Sequence, residues 1–152
     1  MQNTLEVVGP RGEVHNSQSG DSDKTVVLIN VYAPNKNTEL THFFTNLLTL
    51  LRNESFDSEE NIILGGDLNC PLDPAIDKKG GILTPRKAVI SCIGCLQNEL
   101  DFIDIWRIKN PGVKSFTWSQ QRQKIFCRLD YWLISNNLHD LKTGCARPQA
   151  KT

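Results

Sequence analysis

At 152 residues, 39% apolar and 22% charged, the chain has the length and composition of a single globular domain with its own core. No apolar run approaches the roughly 20 residues of a membrane span, and the N-terminus lacks a basic-then-apolar leader, so no membrane partner is expected and the location is intracellular, nuclear or cytoplasmic, not secreted. Five cysteines, an odd number at uneven spacing, exclude a secreted disulfide framework and any disulfide-linked partner, and Lys and Arg balance Asp and Glu at a net charge of zero.

In chain order, residues 1–24 carry Gly9, Pro10, Gly12 and Gly20 among polar residues; they read as a poorly ordered or edge segment, with Leu5 to Val8 a short edge strand and the rest a loop. Thr25 to Tyr32 is a β-branched run expected to form a strand covered on both faces, stopped by Ala33-Pro34-Asn35. From Thr38 to Arg52 apolar residues fall at 40, 43, 44, 47, 48 and 51, an amphipathic helix with Thr38 as N-cap. His42 lies beside that stripe as a surface residue. After an acidic loop, Asn61 to Leu64 predicts a strand, and Gly65-Gly66 a sharp turn presenting Asp67 and Asn69.

If the chain stays extended there, the period of two sends Asp67 and Asn69 to the same side. A carboxylate and an amide together suit a phosphate ester: the acid holds a cation or moves a proton, and the amide donates to an anionic oxygen. A plain turn cap is the competing reading, since Gly, Asp and Asn are the commonest turn residues.

Leu72 to Leu83 reads as a polar loop with Asp73, Asp77, Lys78 and Lys79 that either holds substrate or is merely solvated, and Thr84-Pro85 as the start of a helix with Val89, Ile90, Ile93, Leu96 and Leu100 inward. Cys92 and Cys95 could be half of a zinc site with Cys127 and Cys145, but on a helix they read as buried small hydrophobes, and no zinc is assigned. Ser115 to Trp118 and Ile125 to Ser135 predict a hairpin whose second strand is interior, with Arg128 and Asp130 a structural ion pair on one face. The whole indicates a mixed α/β domain with helices outside a sheet. The charge is divided: residues 1–104 hold 8 basic and 15 acidic groups, residues 105–152 hold 9 and 2. From Ile105 to Leu129 basic groups alternate with Trp106, Phe116, Trp118 and Phe126, which suits either a polyanion with bases to stack or a core beneath a solvated face.

Four landmarks in order, Asn30-Val31-Tyr32-Ala33-Pro34, Gly66-Asp67-Leu68-Asn69, Phe116-Thr117-Trp118 and Arg128-Leu129-Asp130-Tyr131, resemble the endonuclease/exonuclease/phosphatase family of metal-dependent phosphoesterases, which includes the DNase I-like nucleases. Asp104-Ile105-Trp106-Arg107 with Asn110-Pro111 resembles in particular the endonuclease domain of non-LTR (LINE-like) retrotransposon polyproteins. The resemblance covers residues 25–152 and implies a partial four-layer α/β sandwich of the DNase I-like type, with mixed sheets and outer helices. It implies Mg²⁺- or Mn²⁺-assisted hydrolysis of a DNA phosphodiester. Asp67 would act near the attacking water or leaving group, Asn69 would donate to the phosphoryl oxygen, Tyr32 would contact the scissile phosphate and Asp130 would orient a histidine. Asn30, Thr117, Trp118 and Arg128 would bind substrate, Thr117 supporting the site from a neighbouring strand.

The family's metal-holding Glu lies on a strand before this sequence begins, and its closing Ser/Thr-Asp-His triplet would start where the sequence stops. The metal ligand is therefore unassigned; of His15, His42 and His139 only His139 is a conceivable stand-in. This chain alone is expected to be inactive and to show an exposed sheet edge. A non-catalytic remnant that binds nucleic acid, and a small-molecule or lipid phosphoesterase of the same fold, are the alternatives.

Overall fold

The computed structural model describes residues 5–13, 25–54, 61–82 and 86–138. Its centre is a five-stranded mixed sheet in the order β1 (Leu5–Glu13), β2 (Thr25–Tyr32), β3 (Asn61–Asp67), β8 (Asp130–Ser135) and β5 (Phe102–Asp104). β2 and β3 run parallel, joined through α1 (Asn37–Asn53), while β8 lies antiparallel to both β3 and β5. A three-stranded sheet, β4 (Lys78–Lys79), β7 (Ile125–Cys127) and β6 (Trp118–Gln120), sits beside it. α2 (Lys87–Glu99), the short α3 (Ile105–Lys109) and a 3-10 turn at Gln121–Gln123 between β6 and β7 complete the described elements.

The amphipathic pattern of α1 does what its spacing predicts: Leu40, Phe44, Leu47, Leu48 and Leu51 are buried. With Val89, Ile93 and Leu96 of α2 they join one core with Ile29, Val31, Ile62, Leu64, Tyr131 and Leu133 of the sheet. Arg52 Nε donates to Glu99 Oε2 at 2.6 Å, tying the two helices at their exposed edge. Both helices thus lie on one face. On the other face of β2, Leu28 is 50% and Tyr32 46% exposed. The expectation that β2 is covered on both faces is therefore corrected, because no described element packs on that side. Among the described residues, this face of β2 carries no covering element, and beside it Ile63 and Ile134 are half-buried.

Several local expectations change for identifiable reasons. Gly65 and Gly66 do not turn the chain; both lie inside β3. A Cβ on Gly65 would sit 2.4 Å from the ring of Trp132 on the paired strand, and one on Gly66 (φ +134°) would sit 2.0 Å from the carbonyl oxygen of Val31. They are glycines because neighbours occupy the space of a side chain. The strand at the N-terminus runs to Glu13, not Val8: antiparallel pairing with β2 continues past a register shift between Val8 and Gly12 that accommodates Gly9 and Pro10. The rest of the loop expected through Lys24 lies outside the described residues.

The N-cap of α1 is Lys36 rather than Thr38, without a side-chain cap. α2 starts at Lys87, and Thr84-Pro85 lie outside the described residues. Lys78-Lys79, expected in a polar loop, pair with Cys127 and Phe126. Cys92 is half-buried but Cys95 is exposed, so the reading of both as buried small hydrophobes fails at Cys95. Among the described residues Cys70, Cys92, Cys95 and Cys127 are free. The last expected strand is two: β7 ends at Cys127, the chain breaks at Arg128-Leu129, and β8 begins at Asp130 in the other sheet.

Candidate active site

Register places the candidate residues in rows across the open face. Paired residues in a sheet point the same way, so Tyr32, Asp67 and Asp130, partners across β2, β3 and β8, form one row at the C-terminal end of the parallel strands. Asn30, Gly65 and Trp132 form the next row inward. Four of the eight residues singled out in the sequence, Asn30, Tyr32, Asp67 and Asp130, therefore meet on one face.

Asp67 ends β3 as the chain leaves the sheet: Ala33 N donates to its carbonyl oxygen at 2.8 Å and Leu68 N donates to the carbonyl oxygen of Leu129 at 2.8 Å. Its Oδ1 accepts Asn69 N at 2.8 Å. Burial pushes the Asp67 carboxyl above its ordinary pKa, the Asn69 N–H pulls it back, and the negative charge of Asp130 adds to the rise. Asn69 is left-handed at φ +49°, and its Nδ2 donates to Ala33 O at 2.6 Å. The period-two argument thus fails beyond Asp67, because the chain turns at Leu68-Asn69 instead of staying extended. The turn-cap and chemical readings coexist: the cap uses one carboxylate oxygen of Asp67 and the backbone N–H of Asn69, leaving the other Asp67 oxygen and the second N–H of the Asn69 side-chain amide for a ligand.

Asn69 opens onto a groove of about 310 Å³ lined also by Asn35, Lys78, Arg86, Trp118 and Leu129. Arg86 Nη1 donates to Asn69 O at 2.5 Å, fastening the turn from the start of α2. Trp118, 44% exposed, forms an aromatic wall, so the groove combines two cations with one indole. Thr117 acts from beneath: its Oγ1 accepts Leu129 N at 3.0 Å and Asp130 N at 3.2 Å, fixing the backbone that carries Asp130.

Arg128 departs from expectation. It is 4% exposed and bound to Asp77 (Nε to Oδ1, 2.9 Å) and Asp104 (Nη2 to Oδ2, 2.5 Å), so its guanidinium is structural and the expected Arg128–Asp130 ion pair is absent. The break between β7 and β8 interrupts the alternation that would have put the two side chains on one face. Asp77, fully buried, also accepts Arg107 Nη2 at 2.5 Å and Asp73 N at 3.1 Å. The Tyr131 hydroxyl donates to Arg128 O at 2.9 Å and accepts Leu72 N at 2.9 Å, and burial drives its pKa upward. Trp106 stacks 5.0 Å from each guanidinium. Sequence reasoning left Asp77 and Lys78 in a loop that either holds substrate or is merely solvated, and missed Arg86, because none of the three sits in a periodic stretch of sequence. Among the described residues no group of three or more His, Cys, Asp or Glu gathers to hold a metal. Nor is any described helix long and apolar enough to cross a membrane.

No family model matches the chain. Over 120 residues, 78% of the chain, it is 34% identical to the transposon TX1 uncharacterized 149 kDa protein of Xenopus laevis, of which it spans 9%. Among solved structures it is similar to an AP endonuclease of Archaeoglobus fulgidus (TM-score 0.61, 19% identity, covering 76% of this chain and 51% of that one). It is also similar to the AP endonuclease LMAP of Leishmania major (TM-score 0.60, 18% identity, 76% and 43%). The catalytic domain of APE2 from Xenopus laevis matches with a TM-score of 0.59 at 26% identity, covering 78% of this chain and 42% of that domain. The chain thus spans about half the length of these solved structures, or less.

Proposed function

Because the chain belongs to the endonuclease/exonuclease/phosphatase (DNase I-like) family, as a nuclease-like domain near the retrotransposon endonucleases, we propose that its site engages a DNA phosphodiester and that the complete site hydrolyses it with a divalent metal. The observation that supports this most is the row of Tyr32, Asp67 and Asp130 beside a groove with Lys78, Arg86 and Trp118. Acids for proton and metal work adjoin cations and an aromatic face for a phosphate and its base.

Each residue's part follows from its surroundings. Asp67, raised in pKa, holds or passes a proton near the attacking water or leaving group. Asn69, fixed by Ala33 and Arg86, donates to a phosphoryl oxygen, and the Tyr32 hydroxyl contacts the scissile phosphate. Thr117 sets Asp130 so that it can orient an imidazole, while Asn30 and Trp118 contact the substrate on either side of the row. Two carboxylates in one row fit Mg²⁺ or Mn²⁺, which is commonly held by one or two carboxylates together with substrate oxygens and water. Asp67 is the described carboxylate that would contribute to holding it, Asp130 being kept for the imidazole, and the metal would offset charge on the phosphoryl oxygens.

Of the described residues, His42 alone is a histidine, and it sits exposed on α1, away from Asp130. Loss of the base from a site that works as a unit costs orders of magnitude in rate. The described residues are therefore expected to bind DNA in a salt-sensitive way and, with no imidazole among them beside Asp130, to cut it orders of magnitude more slowly than a site that has one. The test is nicking of supercoiled plasmid with Mg²⁺ and with EDTA, run with anisotropy of a labelled duplex. Binding without nicking is expected; metal-dependent nicking lost in Asn69→Ala would restore the full enzyme, and turnover of a soluble phosphoester without DNA affinity would replace DNA as substrate.

A further inference from the structure

We propose that Cys92 and Cys95 form a reversible oxidation site, a dithiol on α2 that exchanges with a low-molecular-weight disulfide and closes to a disulfide within the helix. This C-x-x-C plays no part in the phosphodiester reading, and both of its thiols are free. Both cysteines lie well inside α2. Residues i and i+3 of a helix share a face. With a radius of about 2.3 Å and a rise of about 1.5 Å per residue, their Cα atoms stand about 5.0 Å apart, inside the roughly 4.4–6.8 Å that a disulfide spans. Their Cβ atoms, about 5–6 Å apart, must close to about 3.5–4.5 Å, so the turn has to tighten. Gly94 lies between the two cysteines, and a Cβ placed there would meet nothing within 4 Å. The turn that must tighten therefore contains the most permissive backbone and has no side chain from another element in its way.

The two sulfurs differ in access. Cys95 is exposed and lies close enough to Arg52 of α1 to raise the pKa of that guanidinium, after the larger effect of Glu99. Cys92 is half-buried, with its Sγ 4.0 Å from Thr45 Oγ1 of α1. An accessible sulfur beside a cation, with a sheltered sulfur one turn away, has the layout of an attacking and a resolving thiol. The surroundings agree, since a C-x-x-C beside a βαβ unit, here β2, α1 and β3, has the spacing of a redox dithiol. The Cys95 thiolate attacks one sulfur of oxidised glutathione, whose S–S bond breaks to release one glutathione and leave the other bound to Cys95. Cys92 then attacks the Cys95 sulfur, and the second glutathione leaves. Two protein thiols are oxidised to one disulfide, one glutathione disulfide is reduced to two thiols, and the two protons go with the glutathiones. Because the closed turn is strained, the bond reopens under excess reduced glutathione, as a structural disulfide does not.

The test needs neither DNA nor metal. The folded chain is equilibrated with reduced and oxidised glutathione over a range of ratios, quenched in acid, alkylated and cut with trypsin. Cys92 and Cys95 then share one peptide, Ala88 to Arg107, that holds no other cysteine. Under oxidising ratios this peptide should escape alkylation and be lighter by its two thiol hydrogens, reverting as reduced glutathione is raised. Cys92→Ser should trap glutathione on Cys95, and Cys95→Ser should leave Cys92 reduced. Gly94→Ala should lower the equilibrium constant for closure about fivefold, since alanine holds the turn helical more firmly than glycine. Circular dichroism of each reduced variant should match the parent. A peptide that stays reduced in the folded chain and oxidises only in urea overturns the proposal. So does pairing of either cysteine with a different cysteine of the chain, a glutathione adduct that forms equally on Cys92, or a closure equilibrium that Gly94→Ala leaves unchanged.

Discussion

Replacing Asp77 tests the physical account most directly. The carboxylate is fully buried and shared by two guanidiniums: Arg128, 4% exposed, and Arg107, 19% exposed. In Asp77→Ala, Arg128 keeps Asp104, and Arg107 keeps the carbonyls of Asn110 and Val113 at 3.1 and 2.8 Å. Removing one partner of a buried ion pair costs about 3–5 kcal/mol, and the remaining partners place this case at the lower end, about 3 kcal/mol. For a chain of this length that lowers Tm by about 6–12 °C. Urea unfolding followed by tryptophan fluorescence gives the free energy, with Trp106 reporting locally because it stacks on both guanidiniums. The dependence on pH is a second signature. Burial alone would raise the Asp77 pKa, but hydrogen bonds from Arg128, Asp73 N and Arg107 outweigh it, so the folded value lies below the ordinary 3.8. The unfolded chain takes up the proton first, so the stabilisation is complete above the ordinary value and is lost as pH falls through the folded one. The difference between parent and Asp77→Asn should be full at neutral pH and shrink in acid below about pH 4. A loss under about 1 kcal/mol in Asp77→Ala, or a parent–Asn difference unchanged in acid, would refute the reasoning.

Three further outcomes follow from other contacts. Gly66→Ala should abolish cooperative unfolding, because the new Cβ meets the Val31 backbone at 2.0 Å; Gly65→Ala should cost about 1 kcal/mol, since the exposed Trp132 ring can swing aside, and urea midpoints compare the two. Thr117→Val removes the acceptor for Leu129 N and Asp130 N and should cost about 1 kcal/mol in the same assay, with Thr117→Ser close to the parent. Lys78→Gln should weaken duplex binding and lower the slope of log K against log salt by about 0.9, measured by anisotropy, if Lys78 meets one phosphate.

What the sequence revealed was whatever depends on local period or on contiguous motif. α1 could be read because Leu40, Phe44, Leu47 and Leu51 repeat at helical spacing, and β3 because Ile62 to Leu64 is an apolar β-branched run. The co-location of Tyr32, Asp67 and Asp130 was not legible in composition or spacing; it came from family resemblance, and strand register then put the three residues in one row. Long-range partners stayed hidden. Nothing near Asp77 shows that Arg128, 51 positions later, will enclose it, and Lys78-Lys79 beside it looked solvated. Gly65 and Gly66 signalled a turn locally, but their cause lies in Trp132 and Val31 on other strands. The continuous run from Ile125 to Ser135 concealed its break, because Arg128 and Leu129 carry no turn residue between the two sheets.

The position of β3 between β2 and β8 also shapes how the chain emerges during synthesis. Its first neighbour pairs Ile62 with Val27, already made, but its second pairs Leu64 with Leu133, and Ile62 N waits for the hydroxyl of Ser135, 73 positions later. At about 5–20 residues per second, β3 spends roughly 4–15 s on the ribosome with one flank unsatisfied. During that interval Ile62-Ile63-Leu64 is an apolar strand with a free edge, the state in which nascent chains are captured by other strands. Slower translation after Asp67 should therefore lower the soluble yield without altering the stability of the molecules that do fold.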